Sequence, residues 1–598
     1  MATATATHNL PTLTNWAKQH LSTLYRTTTQ VDFENAFDAF VAKDATITVN
    51  GKPTSRDEFK AHLKEEKFNE NGATVQYRGV VESPKEAGKV EAGTVGLFYE
   101  AIIYEPFENL SKADTKDVVT SLNITVGVDE LVNKHSLLPV SAGGAEEFEQ
   151  RNTRFEARFI KLFFLGCVAL LFWAQPCFRS RSSGRVAPPL GLPENIQRHW
   201  GQYSPWFPNE KYIAPPAQCE ITQVNVLQRH GARYPNSDDD YDNSIQKLLR
   251  AEKFADSRFD FLREYKYHMD EEELTSFGAA QSFESGEASY KRYAHLVSSE
   301  NIPFVRSASK SRVVSSALNW TVGFSAASQQ RYNPTVDVIL PENQNNTLFN
   351  DCPNAGDGSK EMATWLSVFA PPIVRRLENV APGSNVTEHD IFNLLAMCPF
   401  ETIAKQRASE FCGLFTYDEF KQFEYHGDVE KFYKTGYGEP LGRVQGVGYM
   451  NEIIARLTGR PVVDHTQHND SFPFPLGRTL YADFTHENLM VAVYAAMGLF
   501  NTTDKLSTKE MDNGRDWLAS VMVPFSARMV IERLACTFDG DQNGGEETEY
   551  VRVLVNDAVQ QLDFCCSEDN GLCTLRAFVE SQAYARGNGL GDFERCYN

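Results

Sequence analysis

Arg229, His230, Gly231, Ala232, Arg233, Tyr234 and Pro235 are consecutive, and three of them together could handle a phosphate. Each arginine is a planar fork of donors that matches phosphoryl oxygens. His230 lies between the two guanidinium charges, which lower its pKa and keep the ring neutral. A neutral imidazole beside a bound phosphate is a nucleophile. Gly231 lets the backbone turn and approach closely. The opposing reading is a solvated basic turn. Directly behind the cluster comes NSDDDYDN, 236–243, with acids at Asp238, Asp239, Asp240 and Asp242. A cationic trap therefore opens on to a negative rim.

Such a trap needs rigid elements behind it. EITQVNVLQ, 220–228, alternates as a strand does and delivers the cluster at its end. In open α/β sheets the crevice beyond the strand ends is where ligands sit. From about residue 196 to 598, apolar strands alternate with helical stretches such as GVGYMNEIIARLTG (446–459) and NLMVAVYAAMGLF (488–500). That alternation predicts an α/β domain with a helical part at about 350–440. Residues 1–135 read as a separate, small α+β domain. Leu13, Trp16, Ala17, Leu21 and Leu24 form one helical stripe, and Phe33, Phe37, Phe40 and Val41 form another. Ser55 and Glu58 have capping-box spacing, and Val118, Thr120, Leu122, Ile124 and Val126 share one face of a strand.

The chain of 598 residues is too long for one core and carries a net charge of −21. The acid excess lies in residues 1–150 and 201–598, whereas 151–200 is basic. An acidic body argues against nucleic-acid binding, which needs a basic face. None of the eleven cysteines precedes Cys167, and no spacing among them suits zinc. From Cys219 onward they read as a disulfide framework with one left over, which implies an oxidising compartment. Sequons at Asn319, Asn345, Asn385, Asn469 and Asn501 point the same way.

Residues 136–158 form a linker of small and acidic residues, followed by FIKLFFLGCVALLFWAQPCF at 159–178 and a second linker at 179–195. The uninterrupted apolar run Leu162–Ala174 is shorter than the ~18 residues expected of an independent span. Three readings stand: a buried core helix, a signal-anchor with residues 1–135 cytosolic and the remainder lumenal or extracellular, or a secretory signal stranded between two joined genes.

The region from about 196 onward resembles fungal histidine acid phosphatases of the phytase type. The resemblance is carried by RHGARYP together with GQYSPWF (201–207), VRSASKSRV (305–313), LGRVQGVGYMNEIIARLTGRPVVDHT (441–466), YADFTHEN (481–488) and VPFSAR (523–528). It implies a phosphoglycerate mutase-like fold, an α/β sandwich domain plus an α-helical domain. It also implies a covalent phosphohistidine on His230, with no metal or other cofactor. Arg229, Arg233, a third arginine expected at Arg306, and His486 would bind the phosphate. Glu487 would protonate the leaving alkoxide and then activate water. The family usually carries His-Asp where this chain has His486-Glu487. A second His-Asp, His389-Asp390, is set aside because Thr387 and Asp390 read as a capping box. The resemblance further implies the disulfides Cys219–Cys536, Cys352–Cys596, Cys398–Cys412 and Cys565–Cys573, with adjacent Cys565 and Cys566 interchangeable. The amino-terminal part, especially FVAKDATITVNGKPTSRDEFK, resembles the nuclear transport factor 2-like cone and would precede the enzyme as a small α+β domain.

Substrate is where the resemblance strains. Phytate-preferring relatives follow the signature with lysines, whereas this chain has aspartates, and YDEFKQFEY (417–425) keeps only Lys421. Repulsion at such a rim would raise the KM for a polyanion. Phytate, a broad range of phosphomonoesters, and mere binding of an inositol phosphate without turnover all remain open.

Overall fold

The computed structural model describes residues 187–237, 240–501, 505–538, 547–565 and 570–598. Of the amino-terminal part it describes residues 17, 20, 21, 24, 30–42, 47–49, 52–67, 72–84, 93–104 and 115–126. That part contains helices Gln30–Phe40 and Arg56–Lys67 and a hairpin of β1 (Ile47–Val49) and β2 (Lys52–Thr54). It also contains an antiparallel sheet of β3 (Gly72–Pro84), β4 (Gly93–Tyr104) and β5 (Thr115–Val126), with β4 in the centre. Phe33 and Phe37 are buried. Ser55 and Glu58 make the reciprocal cap, each backbone N–H donating to the other's side chain. Leu13, Trp16, the first linker and the apolar segment 159–178 lie outside the described residues. Among the described residues no helix is long and apolar enough to cross a membrane.

The second sheet has eight strands: β6 (Cys219–Arg229), β7 (Phe304–Ala308), β8 (Val336–Leu340), β9 (Leu480–Thr485), β10 (Arg528–Cys536), β11 (Thr548–Val555), β12 (Ala558–Val559) and β13 (Cys573–Thr574). Their order is β12-β11-β10-β6-β9-β7-β8, with β13 beside β11. β6, β9, β7 and β8 run parallel, β10 pairs antiparallel with β6, and β11 pairs antiparallel with β10. Every residue of β7 and β9 is buried, as strands covered on both faces must be. Helix Ser311–Ala327 packs on β7 and β9, and helix Glu487–Met497 on β6.

Between β8 and β9 the chain makes helices Ser359–Val380, Glu388–Lys405 and Tyr417–Lys434, within the stretch expected to be helical. Thr387 with Asp390, and Thr416 with Glu419, close capping boxes at two of their starts. Asp390 is thus spent on a cap and on Lys247, whose ammonium lies 2.8 Å from its carboxylate. Disulfides join Cys219 to Cys536 across β6 and β10, Cys352 to Cys596, Cys398 to Cys412 and Cys565 to Cys573. Cys566 lies outside the described residues.

The structure corrects one of the expected glycan sites. Asn319 lies within helix Ser311–Ala327, 2% exposed, and its amide donates to the Ser315 carbonyl at 2.8 Å. A glycan on that nitrogen would have no room in this fold. Asn345, Asn385 and Asn501 are exposed, and Asn469 is half-buried.

Candidate active site

Because four strands run parallel, their carboxyl ends share one edge of the sheet. β6 ends at Arg229 and hands over to His230; β9 ends at Thr485 and hands over to His486 and Glu487. β7 leads into the start of helix Ser311–Ala327, which carries Arg312, and β8 leads to Glu342. Antiparallel β10 begins at that edge, so Ser526 donates its N–H to the His230 carbonyl at 2.9 Å. A Cβ on Gly231 would stand 2.2 Å from the Gly278 carbonyl oxygen. The signature turn therefore rests directly on helix Ser276–Tyr293, and only glycine allows that approach.

His230 is 1% exposed, and its Nδ1 lies 2.8 Å from the Gly231 carbonyl. A carbonyl only accepts, so Nδ1 carries the proton and Nε2 the lone pair. Burial, and then the charges of Arg229 and Arg312, hold the imidazole well below its ordinary pKa against the opposing pull of Glu487. Arg229 is fully buried, stacks on the Phe525 ring at 4.5 Å and donates through Nη1 to the carbonyls of Val523 and Gln202. Burial pushes its pKa down to about 10, still cationic in acid. Buried Nη2 of Arg229, Nε of Arg233 and Nε of Arg312 have no hydrogen-bond partner among the described residues, and Arg229 Nε meets only the Glu487 carboxylate. Buried donors of this kind are costly unless they serve something, and an anion with several oxygens would satisfy them.

Glu487 opens helix Glu487–Met497, with Oε2 3.0 Å from Arg229 Nε and 3.7 Å from His230 Nε2. Its other oxygen, Oε1, lies 3.6 Å from Lys431 Nζ. Burial raises its pKa, but Arg229, Lys431 and His230 outweigh that and hold the carboxyl well below the usual range. His486, the cap residue of the same helix, stands edge-on to His230 with ring centroids 5.5 Å apart. Its Nε2 lies 2.9 Å from Glu342 Oε1.

The structure brings His230, Arg229, Arg233, His486 and Glu487 together but not Arg306. Arg306 Nε donates to Asp483 at 2.7 Å and Nη2 to Glu452 at 2.7 Å, and the residue is 2% exposed. A strand residue facing the core, it is spent neutralising buried carboxylates. The arginine that reaches the cluster is Arg312, six residues on, in the first turn of the helix, where side chains face the strand ends. Its charge acts on Arg229, His230 and Glu487. Lys421 is likewise a surface residue, near Asp418 and over the Tyr417 ring. Lys431, ten residues further along the same helix, is the lysine at the site. It is 1% exposed and bound to Glu430 and Asn488.

Of the acidic run, Asp238 and Asp239 lie outside the described residues. Asp240 and Asp242 are exposed where helix Tyr241–Leu248 begins, with Asp240 accepting from Asn243.

A profile of the Histidine phosphatase superfamily (branch 2) matches residues 220–556. Phytase A of Arthroderma benhamiae is 39% identical over 420 residues, covering 66% of this chain and 91% of that protein. Phytase A of Aspergillus fumigatus is 37% identical over 429 residues, covering 67% and 90%. Among solved structures, the phytase from D. castellii superposes with a TM-score of 0.57 at 24% identity, covering 67% of this chain and 88% of that one, which supports the fold. With the matched region spanning the whole cluster from Arg229 to Glu487, the chain belongs to branch 2 of the histidine phosphatase superfamily and is a phytase-like histidine acid phosphatase.

Proposed function

We propose that the site hydrolyses phosphomonoesters, phytate among them, in two displacements at phosphorus. His230 Nε2 attacks phosphorus while Arg229, Arg233, Arg312 and His486 hold the oxygens. The ester oxygen leaves with a proton from the Glu487 carboxyl. The resulting Glu487 carboxylate then takes a proton from water as its oxygen attacks the phosphohistidine, which frees phosphate and restores both residues. The single observation that carries this reading is the geometry at His230: a buried, neutral imidazole with its lone pair facing Glu487 among unpartnered arginine donors. Acid quench with substrate labelled at phosphorus should leave label on the parent protein and none on His230→Ala. An unlabelled parent that still turns over substrate rejects the mechanism.

In the resting site Glu487 is a carboxylate held by cations on both oxygens, so it must gain its proton as the phosphate dianion draws on Arg229. Lys431 opposes that gain. The double variant Glu430→Gln/Lys431→Met removes a neighbouring ion pair without stranding one buried charge. Losing Lys431 raises the Glu487 pKa, so the alkaline limb of kcat, where Glu487 loses its proton, moves to higher pH. A limb unmoved in pH–rate profiles would remove Lys431 from the proton account.

The amino-terminal helices and sheet, residues 1–135, would form a separate unit of the nuclear transport factor 2-like kind, joined through 136–158 and the apolar segment 159–178. Residues 196–598 would then be the phosphatase proper. Four disulfides and the exposed sequons support an oxidising compartment for that part, secreted or lumenal, with the apolar segment as leader or anchor.

A further inference from the structure

Resting on the phosphatase reading above, we propose that Glu272 is a specificity-determining residue: a fixed negative charge on the outer rim of the trap that discriminates against substrates carrying phosphates beyond the one transferred. Its carboxylate lies 3.2 Å from Arg312 Nη1, on the side of the fork away from the unpartnered Nε. The Ser237 hydroxyl, from the acidic stretch behind the signature, reaches its other oxygen at 3.5 Å. Glu272 therefore joins the trap to the acidic run.

Its place is not accidental. The backbone at Glu272 is left-handed, φ +60°, a conformation uncommon for a residue with a side chain and held only where the surroundings impose it. What imposes it is the signature loop itself. Glu272 N–H donates to the Pro235 carbonyl, Tyr234 N–H to the Glu273 carbonyl, and Thr275 N–H to the Ala232 carbonyl. The segment is thus laced to the loop that carries His230 and Arg233, which fixes the Glu272 backbone beside the mouth.

The side chain is 35% exposed, more than Arg312 at 12%, so it faces what lies outside the pocket. Burial alone would raise its pKa, but Arg312, Lys310 and Arg233 outweigh that and keep it below the usual carboxylate range. The charge therefore persists in mild acid. Asp270 and Glu271 stand exposed beside it, and Lys310 is the opposing cation. A monoester with a neutral leaving group passes this rim at little electrostatic cost, whereas a polyphosphorylated ring brings like charge against Glu272.

The test compares the parent with Glu272→Gln, which keeps the shape and removes the charge. At low salt the KM for phytate should fall about tenfold and that for p-nitrophenyl phosphate less than about twofold, and the gap should narrow as sodium chloride screens the rim. Calorimetric affinities for phytate and inorganic phosphate, measured on both proteins, should show the same split without depending on turnover. Equal changes for both ligands, no change, or weaker binding of both would overturn the proposal, the last by making Glu272 an anchor for Arg312 and nothing more. A parent that binds with this split but turns over no phosphomonoester would instead reject the hydrolytic reading and leave the rim assignment standing.

Discussion

Glu487→Ala should cut the rate of phosphohistidine formation from an alkyl phosphate, read by rapid acid quench, by about 10³, within the usual range for a lost general acid, and that from p-nitrophenyl phosphate by about tenfold or less. The asymmetry follows from the leaving group. An alkoxide needs a proton as it departs, whereas p-nitrophenolate leaves as a stable anion, so only the first substrate draws fully on the carboxyl. Glu487 also pairs with Arg229 and lies near His230, so its removal frees a guanidinium to bind phosphate more tightly. KM for both substrates should therefore fall or hold while kcat falls. Equal losses on both in this first displacement would show that Glu487 acts there by placing Arg229, not by moving a proton. Glutamate in place of the family's usual aspartate is accommodated because the residue opens helix Glu487–Met497, where its longer side chain still brings one oxygen to Arg229 and the other to Lys431.

His230 and the two arginines flanking it were legible because they fall within five consecutive residues, Arg229 to Arg233, and one strand end carries all of them. His486 and Glu487 were legible only through family context, since a His-Glu pair by itself says nothing. Arg306 and Arg312 show the limit of such reading. Both lie in VRSASKSRV, yet one sits in β7 facing a carboxylate of the neighbouring strand and the other in the first turn of a helix. The change of element between them, at Ala308–Ser311, decides which guanidinium faces the strand ends. Lys421 and Lys431 share a helix, and only its packing tells which turn approaches Glu487 and Asn488. Glu342 has no motif at all: it matters because β8 ends beside β7, a fact of strand order and not of local pattern. The fold class was readable from alternation and length, but the order β8-β7-β9-β6, which gathers four distant segments at one edge, was not.

Arg306→Met and Arg312→Met should fail in opposite ways. Arg306 sits in a closed set of charges: Asp483 accepts from Arg306, Arg456 and Tyr449, and Glu452 accepts from Arg306, Thr347 and meets His468. Burial alone would raise Asp483, but the two arginines hold it far below the usual carboxylate range. It therefore stays ionised through mild acid, and the stability it contributes is lost only as pH falls through that depressed value. Removing Arg306 leaves Glu452 with only His468 and Thr347, and Asp483 with only Arg456 and Tyr449, to offset charge buried in the core, which costs about 3–5 kcal/mol. The urea midpoint should drop accordingly, while the KM of the folded fraction stays near that of the parent. Arg312, by contrast, is held by one half-exposed carboxylate and keeps a buried donor without a partner. Its loss should move the midpoint little and lower kcat/KM by about 10²–10³, the scale for removing one preorganised donor to a reacting anion. Should Arg306→Met unfold at the parent's midpoint yet lose phosphate affinity, the assignment of the third arginine to Arg312 would be wrong.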